Sequence, residues 1–222
     1  MPKAPADPWT KAVKHLKSID DSWVDLIDRA GPCSMRPRDD HFSILVRSII
    51  GQQISSKAAA SIDAKLRDLA GHLHEPSALL ALGETPLRSV GLSGVKARYV
   101  LNLSEAVATG KVPLDQIGTL TDDEIIAHLT SIKGVGVWTA EMFLMFALAR
   151  PDVLPVGDLA IRTAMRNHLN LSEMPKPKEC FPLAETWRPY RSVASWYLWA
   201  SLKLPKVEAS EPEAEKTSRK RK

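Results

Sequence analysis

The sequence predicts an all-α fold of about ten helices arranged in two lobes. Three observations carry this expectation. Apolar residues recur at three- and four-residue spacing, as in Phe42, Leu45, Val46, Ile49 and Ile50. Ser, Thr or Asp stands ahead of most such runs, where a helix needs a cap. No segment alternates apolar and polar residues with the period of two that a half-buried strand requires. At 222 residues and 44% hydrophobic content, the chain is long and apolar enough to bury a substantial core.

Asp7-Pro8-Trp9 predicts a helix start, with Asp as cap, proline in the first turn, and Ala12, Val13 and Leu16 turned inward. Asp20 or Asp21 caps a second helix through Trp23, Leu26 and Ile27, and Gly31-Pro32 stops it. A connector over 37–40 leads to a strongly apolar helix from His41 to Gln53. Ser55 or Ser56 caps the next, which carries Ala59, Ile62, Leu66 and Leu69. His72 and His74, two apart in an expected loop, read as surface residues. Two short helices are expected near 77–82 and 86–90. Leu87 to Ala97 reads as a degenerate hairpin opening a helix to about Ala108, and 112–120 as a connector. Thr121-Asp-Asp-Glu124 is a capping box, so a helix is expected from Asp122 to about Ser131. A further helix spans 137–148. Asp158 opens one to about Leu169, after the turn-rich loop RPDVLPVG, and 176–187 and 190–204 supply the last two. The helices of segment 1–37 are expected to pack with a C-terminal lobe over 151–204. The central lobe spans 38–150, and a charged tail over 205–222 is expected to be disordered.

Composition excludes several classes. There is no run of 18 apolar residues, hence no expected membrane span. The first residues lack an apolar core, so no signal peptide is expected. Two cysteines make neither a disulfide framework nor a zinc site, and they exclude a four-cysteine iron–sulfur cluster. The six histidines show no metal-ligand spacing. No phosphate-binding P-loop or nucleophile elbow occurs. The net charge of +4 and pI of about 9.1 suit a polyanionic partner without requiring one. The terminal SRKRK is basic enough to touch nucleic acid or to act as a nuclear address.

The stretch LTSIKGVGVWTAEMFLM, Leu129 to Met145, organises the rest. A helix end, a Gly134-Val135-Gly136 turn and an apolar helix start follow one another. Glycine permits a close backbone approach, and the first N–H groups of the second helix, with its dipole, form an anion site. The pattern Leu129, Ile132, Gly134, Val135, Gly136, Ala140, with Lys133 in the turn, resembles the helix-hairpin-helix DNA-binding motif. That resemblance implies backbone amides on DNA phosphates, with Lys133 and Thr139 beside them. It also implies a monovalent cation, Na+ or K+, on the carbonyls of Thr130, Ile132 and Val135.

Asp158 lies 22 residues after Gly136, at the mouth of a loop and the start of a helix. It reads first as an N-cap, and a capped carboxylate is held rigid. A carboxylate beside a reacting sugar stabilises an oxocarbenium-like transition state or orients the attacking water. Trp138, Trp196 and Trp199 are aromatic candidates, and four of the six tryptophans fall between 138 and 199. Such rings stack on an extruded base and attract one that is cationic. Gln52-Gln53-Ile54-Ser55 ends a helix, either as a polar corner or with a side chain that fills the gap left by a flipped base.

Taken together, HFSILVRSIIGQQIS, LRSVGLSGVKARYVLNL, LTSIKGVGVWTAEMFLMF, the Asp after VLPVG, and ETWRPYRSVASWYLW resemble the helix-hairpin-helix (HhH-GPD) DNA glycosylases. The similarity is to the 3-methyladenine DNA glycosylase II, AlkA type, over about residues 38 to 204. It implies a two-lobed helical fold with a cleft between lobes and no N-terminal β domain. Asp158 matches the catalytic aspartate. Trp138 stands where glycosylase/lyases carry a Schiff-base lysine, which implies a monofunctional enzyme using water. Trp199 matches a pocket wall, and Trp196 is taken with it. Met142 occupies a position that is aromatic in the family, and Gln53 the DNA-wedge position, where the family has leucine. The implied substrate is double-stranded DNA with alkylated purines, bound by a monomer without cofactor. Its location would be cytoplasmic on DNA, or nuclear in a eukaryote. A non-catalytic DNA clamp, or a lyase for oxidised bases, are the rival readings.

Overall fold

The computed structural model describes residues 7–71 and 74–205, and within them every regular element is helical. The α-helices are α1 (Thr10–Lys17), α2 (Asp21–Ala30), α3 (His41–Gly51), α4 (Ser56–Ala70), α5 (Pro76–Leu82), α6 (Glu84–Ser89) and α7 (Gly94–Ala108). They continue with α8 (Asp122–Thr130), α9 (Val137–Phe146), α10 (Leu159–His168), α11 (Pro177–Leu183) and α12 (Arg191–Ser201). Single 3-10 turns lie at Ile117–Thr119 and Glu185–Trp187. The charged tail expected over 205–222 falls, but for its first residue, outside the described residues.

Helix starts follow local chemistry. Asp20 accepts the N–H groups of Ser22 at 2.9 Å and Trp23 at 3.3 Å, and Ser55 and Ser93 cap α4 and α7. The capping box forms: Glu124 N–H donates to Thr121 Oγ1 at 3.3 Å, and Thr121 N–H to Glu124 Oε2 at 2.8 Å. The first helix starts later than its sequence signal, at Thr10. Asp7 instead closes a turn, accepting Trp9 N–H on its carboxylate and Thr10 N–H on its carbonyl.

α3 and α9 end earlier than their sequence pattern predicts. α3 stops at Gly51, two residues before the expected Gln53, because the Lys96 ammonium of α7 takes the carbonyls of Ile50 and Gln52, at 2.8 and 2.6 Å. α9 stops at Phe146, where the chain turns through Ala149 at φ +52°.

Two groups of helices share one continuous core. In the first, α3 packs on α4, α7 and α9; α5 and α6 pack on α7; and α8 lies along α9. In the second, α1, α2 and α10 pack on α12, and α11 on α10. The second group therefore draws on both ends of the described chain. Leu45, Val46, Ile49 and Ile50 of α3 are fully buried, as are Phe143, Leu144 and Met145 of α9 and Tyr197 and Leu198 of α12. Each such side chain contributes on the order of 1.5–3 kcal/mol.

Two readings need correction. His74 is not a surface residue: it is 2% exposed, and its Nε2 meets Asp63 Oδ1 at 2.7 Å. Its partner in the pattern, His72, lies outside the described residues. Trp187, counted among the clustered tryptophans, is core. It meets Trp23 edge-on at 5.3 Å and is 1% exposed.

Candidate active site

The Gly134–Gly136 turn joins α8 to α9. Gly134 adopts φ +109°, and a Cβ there would overlap the Tyr99 ring of α7, so glycine is required on both counts. Gly136 is different: its φ is −95° and nothing lies within 4 Å of an added Cβ, so its open side faces outward. Gly136 precedes α9 without a side-chain cap. The N–H groups of Val137, Trp138 and Thr139 are those an α-helix leaves unpaired at its start. Val137 is 54% exposed. Thr139 and Val135 have buried side chains, so only their backbones can serve a ligand, whereas Lys133 is exposed.

The turn is braced from behind. Gln52 Nε2 donates to Gly134 O at 3.0 Å, and Asn102 Nδ2 to Lys133 O at 3.3 Å. Through Lys96 and Gln52, the end of α3 and the hairpin are held together. Gln53, next along, is exposed and sits in the left-handed region at φ +56°, which for a non-glycine residue costs ~1–2 kcal/mol. Of the three carbonyls expected to hold a cation, Ile132 O accepts Val135 N–H at 3.0 Å, while those of Thr130 and Val135 accept no hydrogen bond from the described residues.

Asp158 is the N-cap of α10. Its Oδ1 accepts Ile161 N–H at 3.0 Å, and its Oδ2 accepts the indole Nε1–H of Trp138 at 2.8 Å. Both oxygens are thereby aimed. The Trp138 bond runs from α9 to α10, so it spans the junction between the two helix groups. The loop before Asp158 is fastened to α12. Arg191 meets Asp152 through Nε at 2.7 Å and through a second guanidinium nitrogen at 3.0 Å, and Arg188 adds a bond to Asp152 at 2.9 Å. Val153 N–H donates to Ser192 Oγ at 2.8 Å.

Glu141, one turn after Trp138 on α9, is half-buried beside this pair. Burial, with the Asp158 carboxylate as second cause, pushes its carboxyl up to about 7. Sequence reading passed over Glu141, Asp152, Arg191 and Lys96. Glu141's three-residue spacing from Trp138 was the one signal for it.

Trp138 is 38% exposed, and Met142, a turn further on, is half-buried. Trp199 packs on Phe146, rings 5.8 Å apart. Trp196 is not brought to Asp158 by any described contact. It lines a hollow with Ser34, Met35, Arg36, Arg38 and Phe146, the ring on which Trp199 packs, and no described contact brings Trp199 to Asp158 either.

A helix start without a side-chain cap can take a phosphate, and an aspartate fixed on both oxygens can face a growing positive charge, features that suit a protein working on a nucleic acid. Sequence comparison agrees: the profile of HhH-GPD superfamily base excision DNA repair proteins matches residues 46–189, and the chain belongs to that superfamily. It is 33% identical to DNA-3-methyladenine glycosylase 1 of Schizosaccharomyces pombe, over 88% of each chain. It is 31% identical to alkylbase DNA glycosidase-like protein mag2 of the same yeast, over 88% of this chain and 95% of mag2. Among solved structures, S. pombe 3-methyladenine DNA glycosylase (Mag1) in complex with abasic DNA superimposes with a TM-score of 0.79 at 32% identity, covering 88% of this chain and 98% of that one. Among the described residues no helix is long and apolar enough to cross a membrane.

Proposed function

We infer that the chain is a monofunctional DNA N-glycosylase that excises alkylated purines, of the 3-methyladenine type, in base excision repair. The observation that carries this is the Trp138–Asp158 pair: a carboxylate with both oxygens fixed, beside an indole that cannot form an imine. The likeness to yeast 3-methyladenine glycosylases supports it.

The start of α9, with Lys133, holds a backbone phosphate of duplex DNA. The carbonyls of Thr130, Ile132 and Val135 would hold a monovalent cation there, adding positive charge toward the phosphate. Gln53 enters the opened duplex from the end of α3. The extruded base stacks against Trp138 and Trp199, with Met142 as an adaptable wall. A base alkylated on a ring nitrogen is cationic, so it leaves as a neutral molecule when it takes the electron pair of the N-glycosidic bond. Asp158 faces the positive charge that then grows on the sugar, and water adds at C1′. The products are free base and an abasic site. The reading places the protein, as a monomer, on DNA.

Incubation with methylated duplex DNA tests this. The expected result is release of methylated purines, resolved by chromatography, without a borohydride-trapped protein–DNA adduct. An adduct would indicate lyase chemistry instead, and binding without release would indicate a non-catalytic clamp.

A further inference from the structure

Alkylated purines depart unaided because they already carry a positive charge. Uncharged damaged purines do not, and need a proton on a ring nitrogen as the bond breaks. Asp158 is committed on both oxygens and is placed to meet the sugar. Glu141 is the other carboxyl of the cluster. It follows Trp138 by one helical turn, so both rise from the same side of α9. It makes no hydrogen bond or ion pair with any described residue, although it is half-buried. The helices packed on α9 carry His41 and Arg47 (α3) and Asp122, Asp123, Glu124 and His128 (α8). None of these acts on Glu141; Asp158, at the head of α10, does. Arg47 is engaged by Asp40 at 2.7 Å.

Building on the glycosylase reading, we propose that Glu141 is a catalytic acid that protonates the departing base, extending the site to uncharged purine lesions. The Glu141 carboxyl gives its proton to a ring nitrogen of the flipped base. The C1′–N bond breaks with its electron pair going to the base, which leaves neutral. Water bonds to C1′, its spare proton goes to solvent, and Glu141 is reprotonated from solvent. Two carboxyls held on adjoining helices at one site are the arrangement that divides acid from charge-stabiliser. A Glu141 titrating near 7 keeps a large protonated fraction at neutral pH.

The test uses the full chain on duplexes carrying hypoxanthine, which is uncharged, or 7-methylguanine, which is cationic, between pH 5.5 and 8.5. Wild type should release hypoxanthine with a rate that falls as pH rises through about 7, and Glu141→Gln should lower that rate ~100-fold and flatten the profile. Release of 7-methylguanine should stay within about three-fold in the variant, since it needs no acid. Three outcomes overturn the proposal: equal loss on both substrates, an unchanged hypoxanthine profile in Glu141→Gln, or wild type that releases 7-methylguanine but no hypoxanthine even at pH 5.5. Release of neither base by wild type would instead remove the glycosylase reading, and this proposal with it.

Discussion

At the residue scale, Trp138 orients Asp158, and in the proposed function it is also a wall for the base. Its ring is available to a base, and its Nε1–H fixes Asp158 Oδ2. Phe at this position keeps the wall and deletes the donor. A hydrogen bond to a charged group is worth ~1.5–3 kcal/mol, so Trp138→Phe should slow base release by about 10- to 100-fold with little change in stability. Single-turnover rates and urea midpoints measure the two separately; an unchanged rate would mean the bond is incidental. Asp158 and Trp138 were legible in the sequence because each sits in a local pattern, a loop-to-helix cap and a GVG turn. Their hydrogen bond was not, since it joins residues 20 apart on different helices. Glu141 had only its three-residue spacing from Trp138 to mark it. Nothing in its neighbours along the chain announces a carboxyl brought against another. His74 failed in the opposite sense: a polar pair in a loop-like stretch looked solvated, but Asp63 on α4 gives it a buried partner.

At the element scale, most helix starts were legible, α1 excepted, and so was an end marked by glycine, as at Gly31 after α2, but the end of α3 was not. Asp20, Ser55, Ser93 and Thr121 act within three residues of themselves. The end of α3 is decided by Lys96, 44 residues from Gln52. The loop into α10 shows the same dependence. Asp152 is 39 residues from Arg191, and their paired bonds hold the segment that presents Asp158. The pair is largely buried, with side-chain exposures of 10% and 22%. Arg191→Met leaves Asp152 with only the more exposed Arg188, so it should destabilise the fold by ~2 kcal/mol, read from urea unfolding. It should also slow base release beyond what the lost stability explains, because the loop can no longer fix the carboxylate. A variant as stable and active as wild type would contradict this.

At the scale of the whole molecule, the all-helical class was legible from periodicity, and α1 and α2 pack on α12, so the second helix group draws on both ends of the described chain. The site lies where the two groups meet, and it places a carboxyl with a raised pKa there. The sign of the consequence is fixed. Glu141 titrates near 4.5 when unfolded and near 7 when folded, so the folded state binds the proton more tightly. Its contribution is favourable at low pH and is lost as pH rises from about 4.5 to 7. Glu141→Gln, which has no charge to bury, should therefore be more stable than wild type at pH 8. The gain should be about 1 kcal/mol, reduced from the full linkage value by solvent screening of a half-exposed group. The difference should vanish near pH 4; chemical denaturation at both pH values measures it, and a constant difference would refute the shift.

The central claim is that Asp158 performs chemistry and is more than the cap of α10. The measurement is single-turnover release of 7-methylguanine from duplex DNA by wild type and Asp158→Asn, with binding to an abasic duplex followed by fluorescence anisotropy. Asn retains N-capping ability, so α10 should persist. The account predicts base release reduced by three orders of magnitude or more, on the order of 4 kcal/mol of transition-state stabilisation, with DNA affinity retained. Release at the wild-type rate by Asp158→Asn would contradict it.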